Sequence, residues 1–228
     1  MRALSLAAEL PIAVALALAF IALLVQGSAA GRLAHRALTW GAAAGLLGAA
    51  LTLALRVDDE WLMGSWRCEP SAQLFKALVL AGALVSVRLS RGGSDWHPER
   101  ATGPMFRLVC VAGLLAAVSA GDLVVLWLAL DIATAGLVFE IATAGRWSTR
   151  DKMVRRLVAT WLPASLVMLL GIILVGSIGA STRLTMLEGT LPGYRGEPAV
   201  IAGLALVGAS VLTRTMHLVA VLGAIRRA

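Results

Sequence analysis

Seven apolar runs, each close to the length that bridges a bilayer, leave this 228-residue chain little choice of fold. They cover residues 10–25, 37–55, 72–89, 105–120, 123–144, 157–178 and 199–222. A spanning helix needs about 20 mainly apolar residues to cross a hydrocarbon core of roughly 30 Å, and the shorter runs reach that length with their flanks. The runs are continuous and do not alternate polar with apolar, so they predict helices and not barrel strands. With 59% hydrophobic and only 14% charged residues, the chain has almost nothing left from which to build a soluble domain. The expected fold is all-α: a polytopic transmembrane helix bundle of about seven spans, forming a single transmembrane domain over residues 1–228.

The first run raises the question of a signal peptide, because Ser28-Ala29-Ala30 follows it like a cleavage site. A single base, Arg2, precedes the run, Glu9 and Pro11 stand at its start, and six further runs follow. A retained first helix is therefore expected.

Charge in the connections sets the orientation. With the N-terminus outside, the outer segments carry Arg2, Arg56, Arg67, Arg183 and Arg195, and Lys76 and Arg214 fall within spans. The remaining thirteen of the 20 lysines and arginines lie on the cytoplasmic side, including the cluster Arg150, Lys152, Arg155 and Arg156. That asymmetry predicts an outside N-terminus and a cytoplasmic C-terminus. It also accounts for the net charge of +7 without nucleic acid as a partner. Small residues in 41–50 and 199–210 suit close helix packing.

Several function classes are excluded by what the connections lack. The longest, 56–71, 90–104 and 179–198, are too short to hold a catalytic domain, an iron–sulfur site or a nucleotide site. No Ser/His/Asp set, paired acids or metal-ligand spacing occurs, and Cys68, in a loop, and Cys110, in an apolar run, form no framework. No cofactor and no metal are expected.

The informative residues are ionisable groups inside the runs, which cost roughly 2.5–3.5 kcal/mol each to insert and usually face a partner or a pathway. Asp131 sits mid-run in Leu-Ala-Leu-Asp131-Ile-Ala-Thr, too deep to reach either surface. It is either a carboxyl poised to exchange protons or one end of a staple between helices. Arg214 and His217 lie three residues apart in the seventh run, with Ser210 one turn earlier, and Arg214 is a candidate partner for Asp131. Arginine effectively keeps its proton, whereas histidine titrates near neutrality. Lys76, about one turn into the third run, has a stem long enough to carry its ammonium to the outer interface. Glu140 is expected to be solvated or paired with the basic loop after it. Pro163 interrupts the sixth run.

The stretch Ala120-Gly-Asp122-Leu-Val-Val-Leu-Trp127-Leu-Ala-Leu-Asp131, followed by the basic loop 145–156, resembles the antiporter-like membrane subunits of respiratory complex I, the N-type subunit of NADH–quinone oxidoreductase most of all. Glu9-Leu10-Pro11 is similar to their opening, and Gln73-Leu-Phe75-Lys76 to the start of their third helix. The resemblance implies a membrane-arm subunit of a redox-driven, proton-translocating respiratory complex in the inner membrane, with other membrane subunits as partners. Quinone chemistry would belong to those other subunits. It also implies that Asp131 stands where the family has a fifth-helix glutamate, whose partner is a lysine of a broken seventh helix. Here either Ser210 or Arg214 takes the lysine position, depending on register, and the helix-breaking proline is missing. Asp131, Arg214, His217 and Lys76 become candidates for a partial or degenerate proton pathway. Family members have about fourteen helices in two inverted halves, so the chain matches an N-terminal half. The alternatives are a purely structural assembly subunit and an independent small ion transporter or channel.

Overall fold

The computed structural model describes residues 6–7, 9–25, 28–61, 64–90, 102–143, 147–179, 181–194 and 197–225. The elements are α1 (Leu10–Val25), α2 (Ser28–Ala54), β1 (Asp59–Trp61), β2 (Trp66–Cys68), α3 (Pro70–Ser90), α4 (Thr102–Ser119), α5 (Leu123–Thr143), α6 (Trp147–Gly179), the short α7 (Leu184–Thr190) with a 3₁₀ turn Leu191–Tyr194, and α8 (Pro198–Ile225). Each of the seven apolar runs is a helix. Prolines open α3 and α8, where a missing N–H costs nothing.

Two helices overrun their hydropathy. Helix α2 starts nine residues before residue 37, and α6 starts ten before residue 157. Apolarity measures the thickness of hydrocarbon and not the end of the hydrogen-bond ladder, so alanine-rich or charged flanks continue the helix into the polar layer. By length and composition α2, α3, α5 and α6 can cross a membrane, and α1, α4 and α8 supply shorter apolar stretches. The outward faces would be untenable in water: Trp40 and Leu47 on α2 are each 73% exposed, and Leu78, Leu166 and Leu212 are exposed as well. The chain is a multi-pass membrane protein.

Among the described residues two larger packed groups share the bundle, with a smaller one around Val138, Ile141 and Leu157 of α5 and α6. One buries Ile12, Ala19, Leu38, Leu80, Leu108 and Leu115 among α1–α4. The other buries Leu123, Met168, Ile172, Val175 and Leu187 among α5–α7, with Val207 and Val211 of α8 packed on it. The seam between them is the α4/α5 crossing, where a Cβ on Gly113 would lie 2.5 Å from Ala133 N and one on Gly136 2.6 Å from Cys110 N. The backbones touch because neither glycine has a side chain. The stripes expected to pack closely do so: Gly41 faces Ala15 and Pro11 O, and Gly203 faces Gly171 O.

The connection 56–71 holds a β-hairpin, in the register Asp59↔Cys68, Glu60↔Arg67 and Trp61↔Trp66. Cys68 is therefore buried at a strand end and not in a loop. Gly64 in the turn has φ 86°, which glycine adopts without strain. The hairpin is fastened to the α4–α5 turn: Gly121 N donates to Ser65 O (2.8 Å), and Gly121 sits so close to Gly64 O that no side chain would fit. The same turn holds the α6–α7 connection, since Leu123 N donates to Thr182 O (3.0 Å) and Leu184 N to Gly121 O (2.9 Å).

Candidate functional site

Asp131 lies near the middle of α5, on the side facing α6 and α8. Trp127, one turn earlier, shares that side. On α6, Trp161 and Ser165 are likewise one turn apart, while Pro163 between them points away and is exposed. Trp161 Nε1 donates to Asp131 Oδ1 (3.0 Å), Ser165 Oγ donates to Asp131 Oδ2 (2.6 Å), and Trp127 Nε1 donates to Ser165 Oγ (2.8 Å). From α8, Arg214 Nη2 lies 2.8 Å from Asp131 Oδ1, with side-chain exposures of 5% for the arginine and 20% for the aspartate. Ser210, one turn before Arg214, donates instead to Ala164 O (2.6 Å) and does not meet the carboxylate. Two donors from α6 thus hold both oxygens of Asp131, and one charge pair joins α5 to α8.

Nη2 of Arg214 has its ion pair with Asp131 but no well-aligned hydrogen bond, and Nε and Nη1 have no hydrogen-bond partner among the described residues. Beside them is a cavity of about 20 Å³ lined by Thr134, Thr160, Trp161, Thr213 and Arg214 among others, room for roughly one water. The side chain of His217 lies outside the described residues, although its backbone is in α8.

Two sequence expectations are corrected. Lys76 does not reach the interface; it is fully buried and forms an ion pair with Glu9. Glu9 precedes α1 and packs over the start of α3, where it offers a carboxylate nearer than the surface. Ser119 Oγ of α4 also donates to Glu9 Oε1 (3.0 Å). Glu140 is mostly buried, and its partner among the described residues is not in the loop after it. It binds Arg107 of α4, whose Nε donates to it at 2.7 Å, because the glycine crossing sets the two helices in that register. Ion pairing of Arg107 and Glu140 thus ties the two packed groups on the side of the seam away from the hairpin.

Asp122 is a structural residue that site reasoning passed over. Its Oδ1 accepts from Val124 N (2.8 Å), capping α5, and its Oδ2 accepts from Thr182 Oγ1 (2.9 Å). The signal was present as an aspartate directly before an apolar run. In the hairpin, burial pushes the Cys68 thiol above its usual pKa, partly offset by the Lys76 ammonium and by the hydrogen bond from Gln73.

The chain is 30% identical over 138 residues to NADH-quinone oxidoreductase subunit N 1 of Rhizobium meliloti (strain 1021). Its fold matches a chain of the membrane-bound sulfane sulfur reductase (MBS), an archaeal respiratory membrane complex, with a TM-score of 0.73 at 14% identity over 91% of its own length. The chain resembles the antiporter-like membrane subunits of complex I. No family model matches it. The sequence alignment covers 60% of this chain and 28% of the curated relative, and the structural match covers 43% of the neighbour's chain. Of the two residues of α8 considered as partners of Asp131, Ser210 and Arg214, Arg214 is the one that meets it.

Proposed function

We propose that this chain is a membrane-arm subunit of a complex I-like respiratory complex, in which the Asp131–Arg214 site is a degenerate proton site that now serves as a staple. The observation that carries the reading is the set of contacts around Asp131. Both carboxylate oxygens are held by donors, and the cation is an arginine, which effectively keeps its proton under all ordinary conditions. A lysine could alternate between charged and neutral forms; the guanidinium stays charged, so the pair is fixed. Its work is to hold α5, α6 and α8 together and to keep one buried charge compensated.

The reading extends to placement and partners. The chain is taken as one transmembrane domain of seven spans in the inner membrane. Its hairpin end faces outward and its basic α5–α6 side faces the cytoplasm, as the lysine and arginine asymmetry favours. Its bare apolar faces are covered by lipid and by other membrane subunits of the same complex, by analogy with the respiratory complexes of its relatives.

The test is purification in mild detergent from native membranes, combined with Asp131→Asn. The chain is expected to migrate with redox subunits. Asp131→Asn is expected to lower the yield of assembled complex while leaving proton translocation per assembled complex unchanged. Translocation lost from a fully assembled Asp131→Asn complex would restore the relay reading. A wild-type chain migrating alone would favour an independent transporter.

A further inference from the structure

At the hairpin end, on elements that contribute nothing to the Asp131 site, five polar side chains converge: Glu9 ahead of α1, Cys68 of β2, Gln73 and Lys76 of α3, and Ser119 of α4. Gln73 and Lys76 are both fully buried. Glu9 Oε1 accepts from Ser119 Oγ and faces the Lys76 ammonium, and Gln73 Nε2 donates to Cys68 Sγ (2.7 Å). Three buried groups are left over. Glu9 Oε2 and Gln73 Oε1 have no hydrogen-bond partner among the described residues, and Lys76 Nζ has its ion pair but no well-aligned hydrogen bond.

Gln73 and Lys76 are three residues apart on one face of α3, and Glu9 touches Lys76, so the three groups are neighbours. The remainder is two acceptors and one donor. A metal cation would sit against the ammonium, an anion against the carboxylate, and an apolar group would satisfy none of the three. A water molecule accepts from the ammonium and donates to both oxygens, completing three hydrogen bonds, the usual number for a buried water. We propose that Glu9, Gln73 and Lys76 enclose one structural water, forming a second buried ionic site independent of Asp131. Its cation is a lysine, so of the two buried cations paired with acids at these sites it is the one chemically able to release a proton.

Direct observation of the site tests this. A cryo-EM map of the wild-type chain in its native complex, at a resolution that shows ordered water elsewhere, is expected to hold a peak within hydrogen-bond distance of all three groups. A map without that peak overturns the proposal.

Discussion

Replacing Asp131 by Asn leaves Arg214 charged and only 5% exposed in its side chain, with its carboxylate gone. Breaking one member of a buried pair typically costs about 3–5 kcal/mol, most of it the burden of the uncompensated charge. Here the figure belongs near the lower end, because Asp131 keeps 20% side-chain exposure and an amide oxygen can still accept from Trp161 or Ser165. Arg214→Met alone strands the carboxylate, which retains those two donors, so about 2–3 kcal/mol is expected. The double variant removes both charges and leaves a neutral site, so it is expected to recover most of the loss. The coupling in the cycle is then about 2 kcal/mol or more. The assay is reversible unfolding of the purified chain in mixed micelles, followed by tryptophan fluorescence, with Trp127 and Trp161 reporting from the site itself. Single losses that simply add in the double variant, with coupling below about 0.5 kcal/mol, would refute the argument that the two charges sustain one another across α5 and α8.

Gly113→Val places a side chain against the backbone of Ala133, only 2.5 Å from where its Cβ would stand. The α4/α5 seam must open, and cysteine cross-linking across it is expected to fall sharply, with stability reduced by about 2 kcal/mol or more. Cys68 offers a pH readout: because burial raises its pKa, less thiolate exists at a given pH, and its maleimide labelling is expected to need a higher pH than an exposed cysteine of the unfolded chain. Lys76→Met removes a cation that favours the thiolate, so the labelling profile should move further up; a downward move would contradict the assigned cause.

Much of the bundle was legible because hydropathy is local. Every apolar run became a helix, and Asp131 announced itself by depth alone. Its partner was also within reach, since one buried acid mid-run and one buried base in another run have few other ways to be satisfied. What the sequence hid is long-range. Glu9 meets Lys76 and Ser119 only after α1, α3 and α4 are side by side, and Glu140 finds Arg107 only through the register that the Gly113 and Gly136 crossing imposes. Trp161 and Ser165, which complete the ring of donors around Asp131, read in sequence as ordinary residues of a spanning helix. The hairpin escaped notice because three-residue strands carry too few positions to show alternation.

The turn around Gly121 ties the hairpin, the start of α5 and the α6–α7 connection through main-chain N–H and C=O groups. Such ties depend on where the chain runs and hardly at all on which side chains it carries, the glycine itself excepted. Selection can therefore rewrite the residues at this end of the molecule while its contour stays the same. A neighbouring protein that fits by outline alone would go on fitting long after the sequences had diverged.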